Sequence, residues 1–162
     1  MYIYQEYSIR YEIISANFLS VHDMEIKYDV FISYNIQSLN IVKEIVHVFD
    51  NEGISCWYGA SFDEHAGEDY DDIIAEKILE SRLLIVVLTD AALESDWVKT
   101  EVKFAFDQKK LVIPFVVAEL HVENGITFLL NGDQWIDAYP NPDSKFALLS
   151  KNVKLALNDF SD

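Results

Sequence analysis

From Tyr28 onward, apolar positions follow first a strand pattern and then a helical one. Tyr28–Ser33 (YDVFIS) is a short run of β-branched and aromatic residues, which is typical of a strand. Ser38–Asn51 carries apolar residues three and four positions apart, which predicts a helix with one buried face. Gly53 follows it, where glycine commonly ends a helix. The pattern therefore predicts a β–α unit.

The same alternation continues to the end of the chain. Leu83–Leu88 (LLIVVL) is an unbroken apolar run, as expected for a strand buried on both faces of a parallel sheet. Further strands are predicted at Ile54–Trp57, Leu111–Val117 and Gln134–Asp137. Helices are predicted around Ile73–Ile78, from Ser95 and from near Asp143. Strands alternating with helices predict an α/β fold with a doubly wound parallel sheet.

Composition narrows the class of protein. The chain has 162 residues, 51% of them hydrophobic, enough for one domain with a single core. Its formal net charge of −16 argues against nucleic-acid binding and against anionic membrane surfaces. No run approaches the roughly 20 apolar residues of a membrane helix. A single cysteine, Cys56, allows no internal disulfide, and the few histidines show no metal-ligand spacing. We expect a cytoplasmic protein without a bound metal.

The first 23 residues stand apart from the predicted domain. Met24 precedes EIKYDVFISY, which would itself make a natural beginning for the domain. We expect an N-terminal extension over residues 1–26 and the domain over residues 27–162. The extension could be an added strand or helix, a dimerisation arm, or the result of an upstream start codon.

The predicted topology also predicts where a ligand would bind. Ligands of doubly wound sheets lie beyond the carboxyl ends of the strands, where the winding reverses. If the strand order is flavodoxin-like, that point lies between the first and third strands. Ser33 and Tyr34 end the first strand, and Thr89 follows the third.

Glu101 lies in the helix that follows the third strand and has apolar neighbours one turn away on each side. Trp97 is four residues earlier, on the same helix face. Two interpretations remain open from the residues alone. Trp97 could anchor the helix to the core while Glu101 reaches water or a distant cation. Alternatively, apolar surroundings keep the Glu101 carboxylate partly desolvated and raise its pKa, as at catalytic acids.

Five motifs, in this order and spacing, resemble the TIR domain, particularly its bacterial form. They are YDVFISY (Tyr28–Tyr34), GISCW (Gly53–Trp57), GED (Gly67–Asp69), SRLLIVVLT (Ser81–Thr89) and SDWVKTEVKFA (Ser95–Ala105). The resemblance implies a flavodoxin-like, doubly wound sheet of about five parallel strands with helices on both faces.

The resemblance also implies an activity. Enzymatic TIR domains cleave the nicotinamide–ribose bond of NAD, giving nicotinamide and ADP-ribose, cyclic ADP-ribose isomers or related conjugates. Their catalytic glutamate lies in a W-x-x-x-E pattern, which Trp97 and Glu101 match. Glu101 would orient the ribose hydroxyls or stabilise the developing cation, and Trp97 would pack against the nicotinamide. Ser33, Tyr34 and Thr89 would line the cleft. NAD is then a substrate, and no cofactor is expected.

The loop from Tyr58 to Glu68 corresponds to the BB loop of the family, through which TIR domains self-associate. The residues expected to mediate assembly are Tyr58, Gly59, Phe62, Asp63 and His65. Many bacterial relatives carry an APRD-like stretch here, with a proline and a basic residue, whereas this loop is acidic. Contacts to the NAD diphosphate are therefore expected from backbone N–H groups near Gly59 or from Lys99. In the alternative interpretation, the loop has no binding role and is only a solvated acidic connection.

Three other functions were weighed against NAD cleavage. A non-catalytic TIR module would act only by binding other TIR domains. An enzyme of the nucleoside deoxyribosyltransferase type would use a glutamate at a different glycosidic bond. A receiver domain would use Asp90 as a phosphoacceptor, but SYN follows the first strand where an acidic pair is needed.

The resemblance also implies a biological setting. A TIR enzyme with no attached effector would generate a diffusible nucleotide signal read by a separate effector protein, an arrangement found in bacterial anti-phage defence.

Overall fold

The central strand of the sheet is buried along almost its whole length. In the computed structural model, which describes residues 24–59, 70–130 and 135–160, this strand is Ser81–Leu88 (β3). The other strands are Tyr28–Ser33 (β1), Cys56–Trp57 (β2), Leu111–Val116 (β4) and Ile136–Asp137 (β5). All neighbouring pairs are parallel, in the order β2-β1-β3-β4-β5. The flavodoxin-like five-stranded sheet is confirmed.

Six α-helices lie in the described ranges. They are Leu39–Asn51 (α1), Tyr70–Leu79 (α2), Asp90–Glu94 (α3), Asp96–Asp107 (α4), Gly125–Leu129 (α5) and Phe146–Asp159 (α6). Short 3-10 turns at Ile36–Ser38 and Pro142–Lys145 lead into α1 and α6. None of these helices is both long and apolar enough to cross a membrane.

Side chains of β3 point alternately into two separate apolar clusters. Leu84, Val86 and Leu88 pack with α2, α3, α4 and α5 on one face of the sheet. Ile85 and Val87 pack with α1 and α6 on the other face. An unbroken apolar strand is needed because both faces are covered. The prediction from the LLIVVL run is therefore confirmed.

Two short helices had no counterpart in the sequence prediction. Helix α3 begins where the Thr89 hydroxyl accepts a hydrogen bond from the Ala92 amide at 3.1 Å. It ends at Ser95, whose hydroxyl in turn caps α4. Helix α5 starts in the same way at Asn124, whose backbone amide in return donates a hydrogen bond to the Thr127 hydroxyl. Both helices are only five residues long, so apolar periodicity has too little length to reveal them.

The amino end of β1 is tied to the end of α2. The backbone amides of Lys27 and Tyr28 donate to the carbonyl of Glu80 at 2.9 and 3.1 Å. The buried Glu80 carboxylate accepts from the ammonium groups of Lys27 and Lys77. This cluster holds the start of β1 against the end of α2, while residues 1–23 lie outside the described part of the chain. The division at residue 26 stays a prediction.

Candidate active site

Ser33 and Glu101 meet at the carboxyl edge, the sheet edge at which the parallel strands end. Ser33 is the last residue of β1, and its hydroxyl donates a hydrogen bond to Oε2 of Glu101 in the second turn of α4. Phe31 points into the cluster that contains α4. Because side chains alternate along a strand, Ser33 points to that face as well. The contact lies between the first and third strands, where the winding reverses.

Glu101 is a partly buried carboxyl group with a neutral partner. Burial raises its pKa from the ordinary 4.5 to about 7, although the hydrogen bond from Ser33 acts in the opposite direction. Within the described ranges, no basic side chain forms an ion pair with it. Oε1 accepts no hydrogen bond from any described residue. The pKa of Glu101 therefore lies near neutral pH, and the described residues leave Oε1 without a hydrogen bond.

Tyr34 follows Ser33 in the chain and is near enough to Glu101 to interact with it electrostatically. Burial raises the pKa of Tyr34 to about 12, and the nearby Tyr58 and Glu101 act in the same direction. Both tyrosines pack against the α1–α6 side of the core. The phenol therefore keeps its proton at physiological pH and can donate a hydrogen bond at the carboxyl edge.

Trp97 lies in the first turn of α4, one turn before Glu101, and its side chain is 45% exposed. It is therefore not a core anchor. Val98 and Val102, which are buried, hold α4 against the sheet instead. This disfavours the interpretation in which Trp97 holds the helix while Glu101 reaches a distant cation.

Thr89 and Asp90 follow β3 and make hydrogen bonds within the fold. Thr89 caps α3, as described above. The Asp90 carboxylate accepts from the backbone amides of His121 and Val122 at 2.8 and 3.1 Å, and its other oxygen lies 3.0 Å from His121 Nδ1. These bonds hold the segment after β4 against the start of α3, so the carboxylate is engaged and the phosphoacceptor hypothesis gains no support.

The structure does not bring Lys99 to Glu101. The two residues are two positions apart on α4, about 200° around the helix axis. The Lys99 ammonium lies 3.5 Å from the Asp96 carboxylate. Of the predicted assembly residues, Tyr58 is partly buried and Gly59 has a φ of 64°, a conformation that favours glycine. Phe62, Asp63 and His65 lie outside the described residues.

Trp57 was not singled out as a site residue from the sequence. Its ring stacks on Phe31 with centroids 4.9 Å apart and an interplanar angle of 22°. The register pairs Phe31 with Trp57, so Trp57 and Ser33 are diagonal neighbours on one sheet face. The sequence shows an aromatic residue at the end of the second strand. Its position next to Ser33 follows only from the strand register, which the sequence does not give.

Two surface grooves lie elsewhere. One of about 620 Å³ lies at the opposite edge of the sheet, between the start of β4 and the end of α6. Another of about 270 Å³ lies beyond β4 and β5. Neither is lined by Glu101. The chemistry at the carboxyl edge is therefore inferred from the placement of Ser33, Tyr34, Trp97 and Glu101.

Comparison with known proteins identifies the family of the domain. The family model for the TIR domain matches residues 30–150. The chain belongs to the TIR domain family. A TIR protein of Cytobacillus dafuensis, provisionally named cyclic ADP-D-ribose synthase TIR2, is 30% identical over 84 residues. That alignment covers 48% of this chain and only 22% of the relative.

Solved structures of other TIR proteins share the fold. The TIR domain of the Toll-related receptor TRR-2 from Hydra magnipapillata superposes with a TM-score of 0.64 at 19% identity, over 79% of this chain and 99% of that one. A TIR-STING receptor from C. gigas, solved with 2′,3′-cGAMP, gives 0.55 at 23% identity, over 77% and 40%. At these identities the likeness shows the fold alone.

The raised pKa of Glu101 makes a prediction about stability. Because folding favours the neutral carboxyl, ionisation costs stability as the pH rises from about 4.5 towards and above 7. Glu101→Gln keeps the acceptor for Ser33 and removes this cost. We expect Glu101→Gln to be more stable than wild type at pH 8, by up to about 3 kcal/mol, and by much less at pH 5.

Urea denaturation of both proteins at pH 5 and pH 8 measures this difference. Glu44→Gln, which neutralises an exposed glutamate on α1, is the control and should show no such gain. Equal stability changes in Glu101→Gln at the two pH values would contradict a desolvated Glu101 carboxyl.

Proposed function

We propose that this TIR domain cleaves the nicotinamide–ribose bond of NAD, with Glu101 as the catalytic carboxylate. The observation that carries the proposal is the partly buried Glu101, held by Ser33 at the carboxyl edge without a basic partner among the described residues. Its position in the W-x-x-x-E pattern supports the proposal. So does the similarity to a relative named for cyclic ADP-D-ribose synthesis.

The chemistry requires one well-placed carboxylate. When the C1′–N bond breaks, its electron pair goes to the pyridinium nitrogen, so nicotinamide leaves neutral and needs no proton. The ribose carbon becomes oxocarbenium-like, and the negative charge of Glu101 stabilises it. Attack by water gives ADP-ribose and releases one proton. Attack by a nucleophile of the same molecule gives a cyclic ADP-ribose-type signal instead.

The neighbouring groups have proposed roles in binding. Trp97, exposed one turn before Glu101, packs against the nicotinamide ring. Tyr34 donates its phenolic hydrogen to a ribose hydroxyl, and Thr89 borders the cleft from the end of β3. Backbone N–H groups near Gly59 are better placed than Lys99 for the diphosphate, because Lys99 is on the other side of α4.

The wider setting is also part of the proposal. Residues 27–162 form the TIR domain and residues 1–26 an N-terminal extension. The protein is cytoplasmic and self-associates through the loop that begins at Tyr58 and Gly59. Its nucleotide product acts on a separate effector protein, in bacterial defence against phage.

The direct test is to remove the charge of Glu101 and to measure the turnover of NAD. Purified wild type and Glu101→Gln are incubated with NAD, dilute and under crowding, and products are separated by chromatography and identified by mass spectrometry. We expect nicotinamide release by wild type and a fall on the order of 100-fold or more in Glu101→Gln, because a charge that stabilises the transition state is lost. Glu44→Gln should retain activity.

The other functions give different outcomes. No turnover of NAD by wild type under any assembling condition would contradict the proposal and favour a binding module. Release of free base from deoxynucleosides would indicate a transferase. Equal turnover by Glu101→Gln and wild type would remove Glu101 from the mechanism.

Charge repulsion predicts an unusual salt dependence. The protein has a formal net charge of −16, and the NAD diphosphate is also negative. Salt screens this repulsion, so raising KCl from about 20 to 200 mM should increase kcat/KM on the order of threefold through a lower KM. Initial rates over a range of NAD concentrations measure this. A rise in kcat at constant KM would instead indicate salt-driven assembly.

A further inference from the structure

The Ser33 hydroxyl is placed to act on Glu101 and not on a ligand. Ser33 is only 1% exposed, although it ends a strand next to the carboxyl edge. Its backbone is paired with Val86 of β3, the central strand. A side chain this buried offers no surface for a ribose or a phosphate. Among the described residues, its hydroxyl donates its hydrogen bond to Oε2 of Glu101.

Resting on the function proposed above, we propose that Ser33 is a positioning residue, whose buried hydroxyl holds and orients the Glu101 carboxylate. This assignment differs from the sequence expectation, in which Ser33 lines the cleft and binds substrate. Because β1 is held in the sheet, the donor is fixed before any ligand arrives. Such preorganisation lets a catalytic charge act without rearrangement during the reaction.

The hydrogen bond also determines which oxygen of Glu101 meets the ligand. Oε2 accepts from Ser33, whereas Oε1 has no hydrogen bond from a described residue. A carboxylate held at one oxygen has its rotation about the last side-chain bond restricted. Among the described residues, Glu101 therefore turns Oε1 towards a ligand, which suits contact with one ribose hydroxyl or with the developing cation at C1′.

The hydroxyl acts on the charge of Glu101 as well as on its orientation. A donated hydrogen bond stabilises a carboxylate more than a neutral carboxyl. Without Ser33, burial would therefore keep Glu101 protonated to a higher pH than it does now. The fraction of ionised enzyme at neutral pH then depends on this hydroxyl.

Other ionisable groups lie on the elements packed against α4. Those described on β1, β3, α2, α3 and α4, together with Tyr34 just after β1, are Tyr28, Asp29, Tyr34, Asp72, Glu76, Lys77, Arg82, Asp90, Glu94, Asp96, Lys99, Lys103 and Asp107. β4 and α5 also pack against α4 but carry no ionisable side chain. Of these, Tyr34 interacts electrostatically with Glu101, and its pKa of about 12 keeps it neutral below pH 9. A change in Glu101 titration between pH 5.5 and 9 can therefore be assigned to Ser33.

The chain provides a matched control for this test. Ser150 is also 1% exposed, and its hydroxyl donates to Oε2 of Glu52 at 2.7 Å, between α6 and the end of α1. Ser33→Ala and Ser150→Ala each remove one buried hydroxyl that donates to a glutamate. Only the first acts on Glu101.

Carbon-13 NMR of glutamate-labelled protein measures the titration of Glu101 in the absence of NAD, with the signal assigned by its loss in Glu101→Gln. In Ser33→Ala we expect the midpoint to rise by about one pH unit. It should be unchanged in Ser150→Ala, and Ser33→Thr, which keeps the hydroxyl, should restore it. Ser33→Cys, a weaker donor of similar size, should give an intermediate midpoint.

Kinetics give the second measurement. Because less of the enzyme is ionised, Ser33→Ala should lose kcat/KM on the order of tenfold at pH 6.5 and much less at pH 9. A loss that is equal at both pH values, with an unchanged midpoint, would mean that Ser33 only packs the site and would overturn the proposal. Because the titration needs no substrate, it tests the effect of Ser33 on Glu101 even if the protein does not cleave NAD.

Discussion

The pairing of β1 with β3 is the constraint on which the rest of the structure depends. β3 is buried on both faces, so it must lie at the centre of the sheet with helices above and below. The chain leaves β1 towards one face and β3 towards the other. A crevice therefore opens between the two strand ends, and the alternation of β1 turns Ser33 towards the helix that carries Glu101.

Glu101 differs in its hydrogen-bond partners from two glutamates that are paired with lysines. Glu80 is 3% exposed, and hydrogen bonds from Lys27 and Lys77 outweigh the effect of its burial and lower its pKa. Hydrogen bonds from Lys154 and Ser150 lower the pKa of Glu52. Glu101 has a comparable hydroxyl donor but no ion-pair partner among the described residues, so its pKa rises. A carboxyl group that only stabilised the fold would gain from a cation.

The fold could be predicted from the sequence more completely than the candidate site. Apolar periodicity predicted the order of long elements, because burial on one helix face or on both strand faces leaves a direct pattern. It also placed Trp97 and Glu101 on one face, since helix geometry needs only their spacing. The bond from Ser33 to Glu101 joins residues 68 positions apart, and the Phe31–Trp57 stack depends on strand register. Neither leaves a local signal.

Under the proposed function, the leaving group decides which glycosidic substrate fits this site best. A nucleoside base leaves as an anion unless an acid protonates it, so such enzymes need a proton donor as well as a carboxylate. Nicotinamide leaves NAD as a neutral molecule, so stabilising the ribose cation is sufficient. In the described part of the carboxyl edge, Glu101 is the acidic side chain in contact with β1, and Ser33 favours its ionised form. A single carboxylate suits a pyridinium leaving group better than a neutral base, because no proton has to be transferred to nicotinamide.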